Sequence, residues 1–202
     1  MRRIIAAYLR ATRGVVLVCD DKDPVRPQFE GQCFREPAEL ETRAPAPEPR
    51  VIVFRGHGFG RQSLEPESVA ALQWQLVQRR QPSIVVYDEL DRAAVAGQWK
   101  AGADSQIGWA FGKGGGVGAG SLWGTQETEA VPREAFNQST AILCFRMMGN
   151  PIRLLKQRGY LEGGVADVIP RLPGDELPPK QRGFFVLLLR GRPWDGRVYR
   201  FA

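Results

Sequence analysis

Short runs that are apolar at nearly every position recur along the chain and alternate with segments of helical character. Strands of this kind are typical of parallel sheets that are covered on both faces. The apolar runs are residues 15–19, 51–54, 84–87 and 141–145, and a further strand, the fourth in chain order, is predicted near residues 121–124. The helical segments are residues 1–13, 63–80, 90–111 and 151–158. The alternation predicts an α/β fold with a mainly parallel sheet.

The second helical segment and the chain end carry the clearest local signals. Ser63 can cap a helix, Pro66 suits its first turn, and Val69, Leu72 and Leu76 recur on one face. Near the end, residues 184–190 and 197–201 predict a β-hairpin whose turn is Asp195-Gly196. Residues 41–50, rich in proline and alanine, predict a surface connection.

Composition limits the class of protein. The chain has 202 residues, 43% of them hydrophobic and 25% charged, which suits one globular domain with a continuous core. No apolar run approaches the roughly 18 residues of a membrane span, and Arg10 and Arg13 interrupt the N-terminal one. We therefore expect an intracellular protein.

Cysteine and histidine offer little material for a catalytic or metal site. Cys19, Cys33 and Cys144 are odd in number and far apart, so each is expected to be a small buried hydrophobe or a free thiol. The single histidine, His57, lies in a glycine-rich loop and is interpreted as structural.

The net charge of +6, from 28 basic and 22 acidic residues, favours polyanionic partners such as nucleotide phosphates or a nucleic-acid backbone. Most of the basic residues are arginine, which a codon bias of the source would also produce. Charge alone leaves these alternatives open.

The strongest candidate site follows the third apolar run, where Asp88 and Glu89 come directly after residues 84–87. Ligands of open parallel sheets bind outside the carboxyl ends of the strands. An acidic pair at such an end can hold a hydrated magnesium ion and orient an attacking water. The alternative is that both carboxylates are solvated at a helix N-terminus.

A second polar pair, Thr125-Gln126, follows the fourth predicted strand, which neighbours the third in the topology we expect. A glutamine at this place can contact a γ-phosphate or the attacking water. An ordinary loop glutamine is the alternative.

Four segments together resemble the FtsK/HerA group of P-loop DNA-translocating motors, which includes viral genome-packaging ATPases. They are residues 15–22 (a strand followed by Asp-Lys), 84–89 (the Walker B strand), 118–126 (a strand ending in Thr-Gln) and 131–146 (Val-Pro-Arg followed by a strand). Their order and spacing agree with the family over residues 1–150, and the terminal hairpin is similar to its C-terminal strands.

The resemblance implies a RecA-like P-loop sheet in a single ATPase domain over residues 1–202, with a core at 1–150 and a helix and hairpin extension at 151–202. It implies ATP and Mg²⁺ as cofactors, with Asp88 on the metal, Glu89 activating water, and Thr125 and Gln126 at the nucleotide. Double-stranded DNA and a homo-oligomeric ring are the implied partners. The implied location is the cytoplasm, of a cell or of an infected host.

The most diagnostic element of the family, the Walker A loop, is missing from the sequence. That loop is Gly-x-x-x-x-Gly-Lys followed by Ser or Thr, so that backbone amides and the lysine surround the phosphates. The only Gly-Lys pair, Gly112-Lys113, is followed by Gly114 and has Ile107 where the first glycine belongs. Residues 112–120 are therefore interpreted as a flexible loop.

In such folds the Walker A lysine opens the helix before the second strand, which here is the segment 1–13. We therefore expect that the first strand and its phosphate loop are missing from these residues. Either the true start of the protein lies upstream, or the chain is a fragment that has lost this loop. Weak or no ATP hydrolysis is expected of the 202 residues.

Arginine fingers of this family act across ring contacts. The candidates are Arg79, Arg80, Arg92, Arg133 and Arg146, and a solvated surface role is the alternative for each. Three function classes stay open: a motor ATPase subunit, a non-catalytic nucleic-acid-binding or assembly protein of the same fold, and an unrelated α/β protein.

Overall fold

A computed structural model describes residues 1–20, 32–34, 51–55, 66–90, 105–174, 176, 178 and 183–200. Its strands are β1 (Val15–Asp20), β2 (Gln32–Phe34), β3 (Val51–Arg55), β4 (Ser83–Tyr87), β5 (Ala119–Trp123), β6 (Ala141–Cys144), β7 (Phe184–Leu189) and β8 (Tyr199–Arg200). Its α-helices are α1 (Arg2–Ala11), α2 (Pro66–Gln78), α3 (Gln106–Gly112), α4 (Arg133–Gln138), α5 (Asn150–Gln157) and α6 (Val165–Val168). Two short 3₁₀ helices cover Gly114–Val117 and Ile169–Arg171.

The first five strands form one parallel sheet in the order β2-β3-β1-β4-β5. Strand β4 lies between β1 and β5, with Val85 opposite Leu17 on one side and Ser121 on the other. All of these neighbours run in the same direction, so their carboxyl ends meet at one edge of the sheet. The predicted parallel α/β fold is confirmed.

The core of this sheet explains why its strands are apolar at successive positions. Val16, Leu17 and Val18 of β1 are fully buried, as are Val85 and Val86 of β4. Because side chains alternate between the faces of a strand, burial at consecutive positions requires cover on both faces. Helix α1 covers one of these faces.

Helix α1 packs on the sheet through Ile5, which lies in one apolar cluster with Val16, Val18, Val53 and Val86. The helix connects to β1 through Gly14, where a Cβ atom would stand 2.8 Å from the carbonyl oxygen of Pro82. This close approach requires glycine and brings the chain directly back into the sheet.

Helix α2 begins at Pro66, so the predicted early proline is confirmed, while Ser63 lies outside the described residues. Its buried face differs from the prediction, since Leu72 and Leu76 are only half-buried and Gln73 is fully buried. The Gln73 amide nitrogen donates hydrogen bonds to the carbonyl oxygens of Ser83, at 3.3 Å, and Gly120, at 2.8 Å. A polar side chain thus ties the helix to two neighbouring strands.

The prediction of one unbroken helix over residues 90–111 is wrong, because a helix begins at Gln106, although its last residues are helical as predicted. Ser105 has extended backbone angles and caps a new helix, α3, by accepting a hydrogen bond from the Gly108 amide at 3.0 Å. Glu67 of α2 reinforces this start, because its carboxylate accepts from the Ser105 hydroxyl and the Gln106 amide, both at 2.6 Å. Serine at a helix start satisfies an otherwise free amide, and the periodicity alone did not reveal this cap.

The last three strands form a separate sheet in the order β6-β7-β8, with antiparallel pairing throughout. Its hairpin confirms the prediction, and the turn is stabilised by Asp195, whose carboxylate accepts from the Arg197 amide at 3.0 Å. The prediction that residues 141–145 are covered on both faces is wrong. Ala141 and Phe145 are exposed, because β6 joins this antiparallel sheet at its edge.

The chain divides into two compact units. The first comprises Met1–Gln126 and Ala130–Ala135, and the second comprises Glu127–Glu129 and Phe136–Ala202. The expectation of a single domain with an extension at residues 151–202 stays a prediction. Among the described residues no helix has the length and apolar character that crossing a membrane requires.

Among the described side chains, Cys19 and Cys144 are both free thiols, as predicted. Cys19 is half-buried and Cys144 is buried. The side chain of Cys33, His57 and the connection at residues 41–50 lie outside the described residues.

Candidate nucleotide and magnesium site

The site is built where β4 ends, and backbone hydrogen bonds fix the three strand ends against one another. The Asp88 amide donates to the Cys19 carbonyl at 3.4 Å, which joins the ends of β4 and β1. On the other side, the Gly124 amide donates to the Tyr87 carbonyl at 3.0 Å, and the Leu90 amide donates to the Gly124 carbonyl at 2.9 Å. The segments that follow β4 and β5 are thus interlocked at Gly124.

This interlocking brings the two predicted polar pairs to one edge of the sheet. Asp88 and Glu89 follow β4 directly, and both are half-buried. Thr125, next to Gly124, is half-buried, and Gln126 is exposed. Four side chains that sequence reasoning selected separately therefore come from adjacent parallel strands, at the end where open α/β sheets bind ligands.

The acidic pair is held between buried neighbours. Tyr87 before it and Leu90 after it are both fully buried. Burial raises the pKa of the Tyr87 hydroxyl well above its ordinary value, and the nearby Cys19 and Glu67 raise it further. The hydroxyl stays protonated, and the backbone that carries Asp88 and Glu89 is anchored in the core.

The N-terminus of α1 lies at the same edge of the sheet. Burial lowers the pKa of the Met1 α-amino group, and the charge of Asp88 acts in the opposite direction and raises it. The first helical amides, those of Ile4 and Ile5, donate to the Met1 carbonyl at 2.9 and 3.1 Å. The charge of the Met1 amino group is therefore close enough to that of Asp88 for the two to interact.

Gly124 leaves room for a close approach of Met1 and of the Asp88 backbone. A Cβ atom on Gly124 would stand 2.5 Å from the Met1 Cε atom and 3.2 Å from the Asp88 carbonyl oxygen. Sequence reasoning missed the close approach of Met1 to Gly124. The glycine directly after a strand was the signal for this close approach.

The Gly112-Lys113 pair lies at the other edge of the sheet. Gly112 ends α3, a 3₁₀ helix at Gly114–Val117 follows, and the Gly118 carbonyl then accepts from the Ser83 amide, where β4 begins. A phosphate cradle precedes a helix and follows a strand, whereas here the order is reversed. The segment is a connection into β5, as predicted, although part of it is helical.

The arginine candidates are spread over the molecule. Arg79 and Arg80 are exposed in the turn before β4, on the amino side of that strand, and Arg80 has a left-handed φ of 57°. Arg133 is exposed at the start of α4. Arg146, exposed after β6, forms an ion pair with Glu176 at 2.7 Å. Arg92 lies outside the described residues.

The donor set at this edge suits magnesium better than softer metals, because it offers carboxylate, hydroxyl and amide oxygens. Among the described residues, no group of three or more His, Cys, Asp and Glu is close enough to hold a metal ion by itself. Magnesium commonly takes one or two carboxylates and completes its shell with water and substrate phosphates, so Asp88 fits such an ion.

Comparison with known proteins gives the fold. No family model and no curated protein matches the sequence. Among solved structures, the genome packaging NTPase B204 of Sulfolobus turreted icosahedral virus 2, in complex with AMPPCP, matches with a TM-score of 0.70 and 15% identity. The match covers 98% of this chain and 87% of B204.

Two further structures agree with this match. B204 of Sulfolobus Turreted Icosahedral Virus, described as a DNA-packaging ATPase, has a TM-score of 0.68 at 11% identity over 98% of this chain and 88% of its own. The virus 2 protein in complex with ATP-gammaS has a TM-score of 0.60 at 13% identity, over 91% and 80% of the two chains. The chain shares the fold of these B204 structures, which confirms the predicted mainly parallel α/β sheet with a C-terminal β-hairpin.

Proposed function

We propose that this chain is a subunit of an ATPase motor of the FtsK/HerA type that moves or packages double-stranded DNA. The observation that carries the proposal is the meeting of Asp88-Glu89, Thr125-Gln126 and the N-terminus of α1 at one edge of a sheet with the fold of B204. Since ATP and the DNA of such motors are cytoplasmic, the activity belongs in the cytoplasm of a cell or infected host.

The proposed roles follow from the chemistry of each side chain. Asp88 would hold a magnesium ion, which would offset the charge of the phosphates, and Glu89 would accept a proton from the attacking water. Thr125 contacts the nucleotide, and Gln126 contacts the γ-phosphate or the water. Bound Mg·ATP would supply the phosphoryl group to be transferred, and these residues position and polarise the reactants.

The site lacks the sequence motif that binds the phosphates of ATP in P-loop proteins. No Gly-x-x-x-x-Gly-Lys-Ser or Thr occurs in the 202 residues, and the resemblance assigns that loop to the position ahead of α1. We therefore expect the 202 residues to bind Mg·ATP weakly and to hydrolyse it slowly or not at all.

An arginine from a neighbouring ring subunit would complete the charge stabilisation. The proposed candidates remain Arg79, Arg80, Arg92, Arg133 and Arg146. Arg146 would have to break its ion pair with Glu176 to take this role. Arg133 forms no ion pair with a described residue, so it has no such pair to break.

Nucleotide titration tests the proposal. Binding of a fluorescent ATP analogue, measured with Mg²⁺ and with EDTA, should be tighter with Mg²⁺, and Asp88→Asn should remove that difference. The matched control is Asp167→Asn, which changes the same charge at an exposed position of α6. Equal Mg²⁺ dependence in wild type and Asp88→Asn would reject Asp88 as the metal ligand.

A non-catalytic nucleic-acid-binding or assembly protein of the same fold is the second candidate. It is favoured by the charge of +6 together with the missing Walker A sequence. Binding of a DNA duplex should weaken steeply as salt rises, because counterions are released at each phosphate contacted. Steep DNA binding without Mg²⁺-dependent nucleotide binding selects this candidate, and a salt-independent affinity contradicts both.

A further inference from the structure

The second compact unit contains a cavity of about 730 Å³. Three segments that are distant in sequence line most of it: the end of α4, the turn after α5, and the loop after β7. Cavities of this size are typical of sites for small molecules.

The charge of the lining is strongly positive. Arg158, Arg190 and Arg192 line the cavity, and Glu162 is the single acidic residue among the described residues of the lining. None of the three arginines forms an ion pair with a described residue. Arginine presents a fork of N–H donors that matches the oxygens of a phosphate group.

Arg158 contacts an aromatic ring and has one buried nitrogen atom that could donate to a ligand. Its guanidinium carbon lies 5.0 Å from the centre of the Phe136 ring, which is a cation–π contact. Its Nη1 atom is buried and has no hydrogen-bond partner among the described residues. A buried donor without an acceptor costs free energy, so an anionic oxygen in the cavity would stabilise this arrangement.

Aromatic rings form another part of the wall. Trp194 is half-buried and its indole nitrogen donates to the Arg197 carbonyl at 3.2 Å, which fixes the ring. Tyr160 packs on Phe136 with ring centres 5.6 Å apart, and its hydroxyl is bound to the Asn137 side chain. Fixed aromatic faces beside arginines are the chemistry that binds a base and its phosphate together.

We propose that this cavity binds a nucleoside phosphate, with the phosphate on Arg158, Arg190 and Arg192 and the base against Trp194 or Tyr160. Two ligands present a base and a phosphate in this way: a free mononucleotide, and one nucleotide within a single-stranded nucleic acid. The proposal is independent of the proposed ATPase function, because the cavity lies in the second compact unit and Asp88 lies in the first.

Calorimetric titration of the chain with four probes tests the ligand class: AMP, adenosine, inorganic phosphate and a single-stranded oligodeoxynucleotide. AMP should bind more tightly than either adenosine or phosphate, because each of these lacks one half of the ligand. An oligonucleotide that binds more tightly than AMP identifies a strand as the source, and the reverse order identifies a free nucleotide. Failure of both AMP and the oligonucleotide to bind overturns the proposal, as does phosphate that binds as tightly as AMP.

Variants then locate the site. Arg158→Gln and Arg192→Gln should each weaken binding about tenfold or more, the usual effect of losing a hydrogen bond to a charged group. Arg153→Gln, an equal charge change on the exposed face of α5, should leave the affinity unchanged. The titrations are run in EDTA, so that Mg²⁺-dependent nucleotide binding at the proposed magnesium site does not contribute.

The exposed Arg192 keeps the test decisive if Arg158→Gln fails to fold. Wild-type affinity in Arg192→Gln, or equal weakening by Arg153→Gln, would show that binding is elsewhere or responds only to net charge, and would overturn the assignment.

Discussion

The first compact unit presents carboxylates at the end of a parallel sheet, whereas the second presents arginines and aromatic rings around a cavity. In the first, Asp88 and Glu89 are adjacent in sequence and a buried strand fixes their place. In the second, Arg158 and Arg192 are brought together only by folding. Chemistry that follows one buried strand can be predicted from local pattern, and chemistry assembled from distant loops cannot.

The largest expected effect is a loss of ATP hydrolysis when the acidic pair of the first unit is changed. Glu89→Gln should lower any Mg²⁺-dependent ATP hydrolysis by about 100-fold or more while nucleotide binding is retained, because a general base contributes to that extent. Phosphate release and analogue binding would be measured in parallel. Glu129→Gln, an exposed position, is the control. A rate unchanged by Glu89→Gln would show that the carboxylate does not activate water.

A smaller effect concerns how the first unit is held together. Gln73→Leu should lower the free energy of unfolding by about 1–3 kcal/mol, since the Ser83 and Gly120 carbonyls lose a buried donor. Urea denaturation of this variant is compared with that of Gln75→Leu, an exposed position on the same helix. Equal midpoints for the two variants would mean that the Gln73 amide adds no stability.

A pH effect tests the core of the second unit. Burial raises the pKa of the Cys144 thiol from 9.0 to about 12. Its contribution to stability is therefore complete below pH 9 and is lost as the pH rises from 9 towards 12, by about 1.4 kcal/mol for each pH unit. Denaturation of wild type between pH 8 and 10 should show this extra loss, and Cys144→Ala should not. Parallel pH profiles would contradict the burial of the thiol.

The smallest effect is expected at the surface of the second unit, where Arg146 and Glu176 pair at 2.7 Å. The Gly174 amide lowers the pKa of Glu176, and Arg146 adds to this, so the contribution is present above pH 4.5 and is lost as the pH falls. Exposed pairs are screened by solvent and salt. Glu176→Gln should therefore shift the thermal midpoint at pH 7 much less than Gln73→Leu does, and a larger shift would reveal a structural role for the pair.

Local pattern accounted for most elements of the first unit, because consecutive apolar residues, Gly14 and Pro66 each act within a few positions. It placed Asp88, Glu89, Thr125 and Gln126 at strand ends, which the structure then brought to one edge. It failed at Ser105, where a cap contacts Glu67 of another helix. It failed again at Gln73, a polar residue buried because two strand carbonyls accept its hydrogen bonds.

The sequence by itself determined the class of fold, the acidic pair after a buried strand and the absence of a Walker A motif from these residues. Each depends on neighbours in the chain, whose periodicity and composition act over one element. Only the tertiary structure decided that β6 joins an antiparallel sheet, that Met1 lies beside Asp88, and that three arginines share a cavity. These facts depend on strand pairing and packing between distant segments, which local propensity does not encode.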